Sequence, residues 1–226
     1  KLGVGVEKDY NTLKELKLEE VRAEGAIEKV KAELGAYRAD TNQPDDEDRM
    51  ATNDADPRQK AVANKLKTAL SVMLTMRGIP TMFYGTEVLM QGKGPHGVIR
   101  EDFSGGWPGD LKNKFEASGR SESENDLWNY IQNLAKWRAN CDAIANGKLM
   151  QFAPQDGVYT YFRYSNNKTV MVSYNSNANE VNIDLNRFKE RINSSFAAYD
   201  VIHQQRVNVA NKLKLGAKEL IILEIN

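Results

Sequence analysis

The stretch LTMRGIPTMFYGTEV, Leu74 to Val88, decides the fold prediction for this chain of 226 residues. It begins in the last turn of an apolar helical pattern, which we predict to stop at Gly78 because glycine commonly terminates helices. The next residues, IPTMFYG from Ile79, are nearly all apolar. A continuous apolar run directly after a helix is typical of a parallel strand buried on both faces. We therefore predict an α/β unit here.

The segments on either side extend this α/β pattern. Upstream, KAVANKLKTALSVMLTMRG has its apolar residues on one helical face. Downstream, the glycine-rich loop MQGKGPHGVIREDFSGGWPGD leads to SESENDLWNYIQNLAKWRANCDAI, a predicted amphipathic helix. Ser121 and Glu124 have the spacing of a capping box at the start of that helix. Helix, strand, loop and helix in this order indicate the end of an α/β domain, which we assign to residues 59–146.

From residue 147 the pattern changes to short alternating strands. The runs VYTYFRYS, KTVMVSYNS, NEVNIDL, AAYDVIHQQ and KELIILEIN are separated by Asn, Ser and Gly. Their spacing of about ten residues is typical of an antiparallel β-sandwich. We therefore predict a second domain over residues 147–226.

Residues 1–58 are predicted to form amphipathic helices followed by an acidic loop. Residues 7–33 carry leucine, valine and isoleucine at roughly helical spacing among lysine and glutamate. Residues 39–58 contain seven aspartate or glutamate side chains. Such a loop can hold calcium, but its spacing does not match an EF-hand. A solvated loop is favoured, and we predict no metal site.

Composition and charge exclude several classes of function. Lysine plus arginine and aspartate plus glutamate number 31 each, so no net field recruits nucleic acid or an anionic membrane. No apolar run is long enough to span a bilayer. The single cysteine, Cys141, excludes an intrachain disulfide and a cysteine-based zinc site, and a buried thiol is favoured over a nucleophile. His96 and His203 have no partner at ligand spacing and are expected in loops or strands.

The first residues, KLGVGVEKDY, lack an initiator methionine and the apolar core of a signal peptide. We expect a start that is processed, trimmed or internal to a longer chain. These residues leave the cellular compartment open.

From roughly Gln59 onwards, the chain resembles the C-terminal part of an α-amylase family enzyme, glycoside hydrolase family 13, of the neopullulanase or cyclomaltodextrinase type. MRGIPTMFYGTE and HGVIREDFSGGWPGD resemble the eighth barrel strand and the loop above it, and LWNYIQNLAKWRAN resembles the closing barrel helix. NGKLMQFAPQDGVYTYFRY and AYDVIHQQ resemble parts of the C-terminal sandwich. The predicted fold class is α/β plus all-β: an incomplete remnant of a (β/α)8 barrel followed by a C-terminal antiparallel β-sandwich.

The resemblance implies retaining cleavage of α-glucans such as starch, maltooligosaccharides and cyclodextrins. Such cleavage needs a carboxylate nucleophile and a proton donor about 5 Å apart, at the C-terminal ends of barrel strands. GAYRADT resembles the nucleophile motif with one extra residue, which makes Asp40 a candidate. PDDEDRM resembles a remnant of the third-carboxylate motif, with Asp46 as the carboxylate, although Asp45 and Pro44 replace its histidine and asparagine. The span between Asp40 and Asp46 is too short for the strand that carries the proton donor.

A complete barrel of this type needs about 250 residues, so only its last two or three units fit before the sandwich. We predict that the isolated chain is inactive and that a further chain or segment completes the barrel. A non-catalytic module for carbohydrate binding or protein contact stays open, with the N-terminal helices covering the barrel face at Met82. Catalysis within the chain by Asp40 and Asp46, with Glu47 or Glu87, is the least favoured interpretation.

The resemblance also suggests substrate-binding residues. Tyr84 and Glu87 would end the eighth strand, and Arg100, Asp102 and Trp107 would lie in the following loop. Aromatic faces stack on sugar rings, while carboxylate and guanidinium groups bond hydroxyls. In the alternative interpretation Tyr84 only packs the barrel top, and Arg100 forms a loop-fixing ion pair with Asp102.

The sequence indicates no cofactor and no metal ligand set. The resemblance implies calcium elsewhere in the barrel for many relatives. It also favours a periplasmic or extracellular location.

Overall fold

A computed structural model of the chain describes residues 57–90 and 102–225. These residues divide into two compact units. The loop unit comprises the described residues of Lys1–Leu70 and Met82–Trp128, and the sheet unit comprises Ser71–Thr81 and Asn129–Asn226. The following predicted features lie outside the described residues: the N-terminal helices, the acidic loop with Asp40, Asp46 and Glu47, and the loop residues His96 and Arg100.

The described elements are three α-helices, three short 3-10 helices and eight strands. The α-helices are α1 Pro57–Thr75, α2 Glu122–Ala139 and α3 Asp142–Ala145. The 3-10 helices are Thr86–Val88, Ala117–Gly119 and Leu185–Phe188. The strands are β1 Lys148–Gln155, β2 Val158–Tyr164, β3 Thr169–Asn175, β4 Val181–Asp184, β5 Ser195–Asp200, β6 Gln205–Ala210, β7 Lys212–Leu215 and β8 Leu220–Ile225. None of the described helices is long and apolar enough to cross a membrane.

The eight strands form one antiparallel sheet in the order β1-β2-β3-β8-β5-β6-β7-β4. Its two halves share one apolar core, to which Phe162 and Met171 contribute from one half and Ile183 and Leu213 from the other. Because side chains alternate along a strand, Tyr161 points to the opposite face. The antiparallel β-sandwich predicted from the sequence is confirmed.

The central strands are buried on both faces, which explains their continuous apolar sequences. Val172 and Ile222 lie on the same face as Tyr161 and form a second core. Leu74 from the end of α1 and Leu134 from α2 belong to this core. The sheet unit is therefore a three-layer arrangement, in which the helix ends cover one sheet face and the folded-over half of the sheet covers the other.

The buried Arg163 of β2 connects the sheet to the chain segments that cover it. Its guanidinium donates to the carbonyl oxygens of Ile144 at 2.6 Å, Thr75 at 3.1 Å and Gly147 at 3.1 Å. Arg138 of α2 donates to the carbonyls of Leu74 and Gly78. Since the last carbonyls of a helix have no partner within the helix, these arginines supply donors to the end of α1.

The predicted buried strand from Ile79 to Tyr84 is not present in the structure. Residues 79–83 form no helix or strand, and Ile79 is 95% exposed. The physical reason is that a parallel strand needs neighbouring strands for its backbone hydrogen bonds and for covering both its faces. No strand of the part described here pairs with this segment. The helix stop is confirmed, since α1 ends at Thr75 and Gly78 has a φ of 123°.

Other local predictions can be compared with the elements directly. The capping box is confirmed: Ser121 N donates to Glu124 Oε2 at 2.9 Å, and Glu124 N donates to Ser121 Oγ at 3.3 Å. The predicted alternating runs did not include β1, β7 or any of β6 beyond Gln205. The division into domains 1–58, 59–146 and 147–226 stays a prediction, because the compact units group the C-terminal parts of α1 and α2 with the sheet.

Candidate functional site

Tyr84 and Glu87 lie on one tight turn of the loop unit. The turn closes through Met90 N donating to Gly85 O at 2.8 Å, and it contains the 3-10 helix Thr86–Val88. The Tyr84 ring lies 4.6 Å from the Phe83 ring, and both are exposed. Glu87 is half-buried, and its Oε2 has no hydrogen-bond partner among the described residues. A buried carboxylate oxygen without a donor is costly, so this turn is suited to receive a donor from outside the described structure.

Asp102 and Trp107 lie on a second segment, residues 102–120, which we name the Trp107 loop. Both side chains are exposed, and Trp107 exposes 63% of its surface. Asp110 holds the backbone of this loop, because its Oδ2 accepts from Gly105 N at 2.6 Å and from Trp107 N at 3.1 Å. These two backbone hydrogen bonds hold the pKa of Asp110 below its usual value, and the bond from Trp107 has the larger effect. A carboxylate therefore closes the turn that presents the indole.

The C-terminal half of the Trp107 loop is held by charged side chains. Lys114 Nζ lies 2.6 Å from Glu124 Oε1, and both side chains are buried. Arg120 donates to the carbonyls of Lys114 at 3.0 Å and Phe115 at 3.3 Å, and its guanidinium stacks 4.1 Å above the Trp128 ring. Glu124 thus serves both the helix cap and the loop. The loop has defined geometry although it contains little regular structure.

A close backbone approach explains one glycine of this loop. Gly105 has a φ of 104°, which side chains rarely adopt, and a Cβ there would lie 2.7 Å from the Cα of Asn113. Lys114 N donates to Ser104 O at 3.0 Å across the same place. Residues 104–105 therefore contact residues 113–114, and the turn that carries Trp107 lies between these two points.

The predicted site residues are distributed over two described elements. Tyr84 and Glu87 share the first turn, Asp102 and Trp107 share the Trp107 loop, and Arg100 lies outside the described residues together with Asp40 and Asp46. The sequence analysis missed Asp110, Lys114 and Arg120, which shape the loop. The available signal for Asp110 was its position in the turn sequence GGWPGD, since aspartate commonly bonds nearby backbone N–H groups in turns.

Other titratable groups suit structural roles. Cys141 is buried, and burial raises the pKa of its thiol. His203 Nδ1 lies 2.7 Å from Oδ2 of the buried Asp200, at the turn after β5. No group of three His, Cys, Asp or Glu side chains that could hold a metal ion occurs within the described residues.

The strands of the sheet unit match a known domain family. Residues 149–224 match the family model described as the cyclo-malto-dextrinase C-terminal domain. Over 174 residues the chain is 27% identical to alpha-amylase 3 of Dictyoglomus thermophilum, which covers 69% of this chain and 33% of that protein. Residues 149–224 thus match this domain family, and the chain is similar to the C-terminal part of α-amylase family proteins.

One further curated relative and one solved structure show how much of each protein the chain spans. It is 32% identical to the cyclomaltodextrin glucanotransferase of Geobacillus stearothermophilus over 130 residues, 58% of this chain and 15% of that protein. The crystal structure of AmyP in complex with maltose superposes with a TM-score of 0.56 at 19% identity, over 76% of this chain and 36% of that one. The chain thus spans a third or less of the length of the Dictyoglomus α-amylase and of the Geobacillus glucanotransferase. The structural likeness to AmyP shows the fold.

Proposed function

We propose that the chain is the C-terminal portion of a glycoside hydrolase of family 13 that cleaves α-glucans with retention of configuration. The observation that carries the proposal is the match of residues 149–224 to the cyclo-malto-dextrinase C-terminal domain. The curated relatives are α-amylases and cyclomaltodextrin glucanotransferases. The substrates are then starch, maltooligosaccharides and cyclodextrins, and the enzyme is of the neopullulanase or cyclomaltodextrinase type.

In this proposal, further barrel strands from the same gene product or from a partner chain complete the α/β part. Two features of the described residues support it. The segment after α1 exposes Ile79 and Phe83, large apolar side chains that a neighbouring strand would cover. The carboxylate of Glu87 has a buried oxygen with no donor among the described residues. The isolated chain would then not hydrolyse α-glucans.

Tyr84, Glu87, Arg100, Asp102 and Trp107 are proposed to contact substrate at the rim of the cleft. The exposed rings of Tyr84 and Trp107 suit stacking on glucose rings, and the acidic side chains suit bonds to sugar hydroxyls. Asp40 and Asp46 are retained as candidates for catalytic carboxylates.

The experiment that tests the function begins with the mass of the intact gene product compared with 25.4 kDa for this chain. That product is assayed on β-cyclodextrin, pullulan and soluble starch, and proton NMR follows which anomer of the product appears first. We expect a larger product that releases the α-anomer and prefers cyclodextrin or pullulan to starch. Release of the β-anomer would refute the retaining mechanism.

The isolated chain is the matched control in the same assay. If the whole gene product has this chain's mass and hydrolyses none of the three glucans, the enzyme proposal is wrong. Binding of maltoheptaose by that product would then favour a non-catalytic carbohydrate-binding module, and absence of binding would favour a protein-interaction module.

A further inference from the structure

The turn at residues 105–110 presents an exposed indole, that of Trp107. A tryptophan side chain buries more apolar area than almost any other when it is covered, yet Trp107 remains 63% exposed. Among the described residues its side chain makes no hydrogen bond and no ring contact. By contrast, Trp128 of the same unit lies under the guanidinium of Arg120.

The backbone beneath this indole is fixed at three places. The Asp110 carboxylate accepts from the N–H groups on both sides of the turn, those of Gly105 and Trp107. Asp110 N donates back to Trp107 O at 3.3 Å. The third restraint is Pro108, whose ring fixes its own φ. An exposed aromatic side chain on a fixed turn loses little conformational entropy when a ligand stacks on it.

We propose that Asp110 is a positioning residue that holds Trp107 as a stacking platform for a glucose ring of an α-glucan. The inference rests on the proposed function for its ligand class and adds to it the residue that sets the platform. Asp110 does not itself touch the sugar in this account. Its carboxylate accepts the two backbone N–H groups, and those bonds fix the direction in which the indole faces.

The test uses the whole chain labelled with 5-fluorotryptophan, which gives one fluorine resonance for each of its three tryptophans. Trp107→Phe assigns the resonance of Trp107. Maltoheptaose is titrated as the probe, with the β-linked cellohexaose as the sugar control, and calorimetry measures total binding in parallel. We expect maltoheptaose to shift the Trp107 resonance, and Trp107→Ala to weaken binding about tenfold.

The positioning role is tested by a graded series at Asp110. Asp110→Ala removes both acceptors, so we expect a broadened Trp107 resonance in the free chain and binding weaker by about three- to tenfold. Asp110→Asn keeps a neutral carbonyl acceptor and should give an intermediate effect. Glu180→Gln removes an exposed carboxylate of the sheet unit and should change neither quantity. Unchanged resonances of Trp128 and Trp137 show that each variant is folded.

Amide hydrogen exchange of the unmodified chain tests the same hydrogen bonds and does not depend on whether a variant folds. The amide protons of Gly105 and Trp107 should exchange slowly with solvent, because both donate to Asp110. Fast exchange of both would overturn the positioning role, and so would Asp110→Ala with the line width and affinity of the unmodified chain.

Failure of this inference is distinguishable from failure of the proposed function. Calorimetric binding of maltoheptaose without a shift of the Trp107 resonance overturns the platform and leaves the α-glucan class in place. Absence of any binding also overturns the platform, while the hydrolysis assay on the intact gene product decides on the proposed function separately. An equal response to cellohexaose overturns the α-glucan preference.

Discussion

Replacing Arg163 with methionine tests how the sheet is joined to the helices that cover it. The side chain is 2% exposed and donates to three backbone carbonyls, those of Thr75, Ile144 and Gly147. No carboxylate among the described residues pairs with it. Burial is the main reason that its pKa lies below the usual arginine value, and the charge of Arg138 adds to the effect.

Two opposing contributions set the expected magnitude. Arg163→Met leaves three carbonyl oxygens without this donor, and a buried acceptor without a partner costs about 1–3 kcal/mol. The substitution also removes a buried charge whose desolvation costs several kcal/mol. Methionine has a similar length and fills the space with flexible apolar atoms, so a large cavity is not expected. We expect a net loss of about 2–4 kcal/mol in the free energy of unfolding, because three acceptors are lost together.

Urea unfolding followed by far-ultraviolet circular dichroism measures this loss. With a slope of about 2 kcal/mol per molar urea, the transition of the sheet unit should move down by about 1–2 M. Arg206→Met, on the exposed side of β6, is the matched control and should stay within about 0.5 kcal/mol. A variant at Arg163 that is as stable as the unmodified chain would refute the reasoning, since desolvation would then cancel all three bonds.

Three further predictions concern the loop unit and the buried thiol. Glu124→Gln should destabilise the loop unit by about 3 kcal/mol in urea unfolding, because it leaves the buried Lys114 charge unpaired. If Ser121→Ala, which removes only the helix cap, costs as much stability as Glu124→Gln, the ion pair does not contribute. The Cys141 thiol should react with Ellman's reagent at pH 8 far more slowly than in urea, because burial raises its pKa and limits access; equal rates would contradict this. The pKa of Asp110 is lowered, so the turn stabilisation should be present above the ordinary aspartate range of about 4 and lost only as pH falls through the lower folded-state value; a Trp107 resonance that moves between pH 6 and 5 would be the contrary result.

The alternating runs of the sheet unit were predictable because each strand carries its own pattern. Tyr161 and Phe162 are adjacent in sequence and lie on opposite faces, as the period of two requires. The capping box at Ser121 and Glu124 was equally local, since both bonds form within one turn. The runs did not reveal that β8 lies between β3 and β5, because the strand order depends on which edges meet in space.

The candidate site was predictable only in part. The exposed ring of Trp107 stands in a loop that the sequence marks by its glycines. The role of Asp110 was missed, because a carboxylate that closes a turn looks in sequence like any solvated loop residue. The ion pair between Lys114 and Glu124 joins residues ten positions apart. Sequence periodicity does not predict such a contact, because it depends on the path of the loop.

The segment after α1 separates most clearly what sequence and tertiary structure determine. Local chemistry predicts that α1 stops before Gly78, because glycine readily adopts a non-helical φ, which is 123° here. It also determines that Ile79 to Tyr84 are apolar enough for a buried strand. Whether they form one depends on neighbouring strands, because every backbone hydrogen bond of a strand is made to another segment. Tertiary structure also decides that Arg163, the one charged residue of β2, is buried against three carbonyls rather than exposed to water.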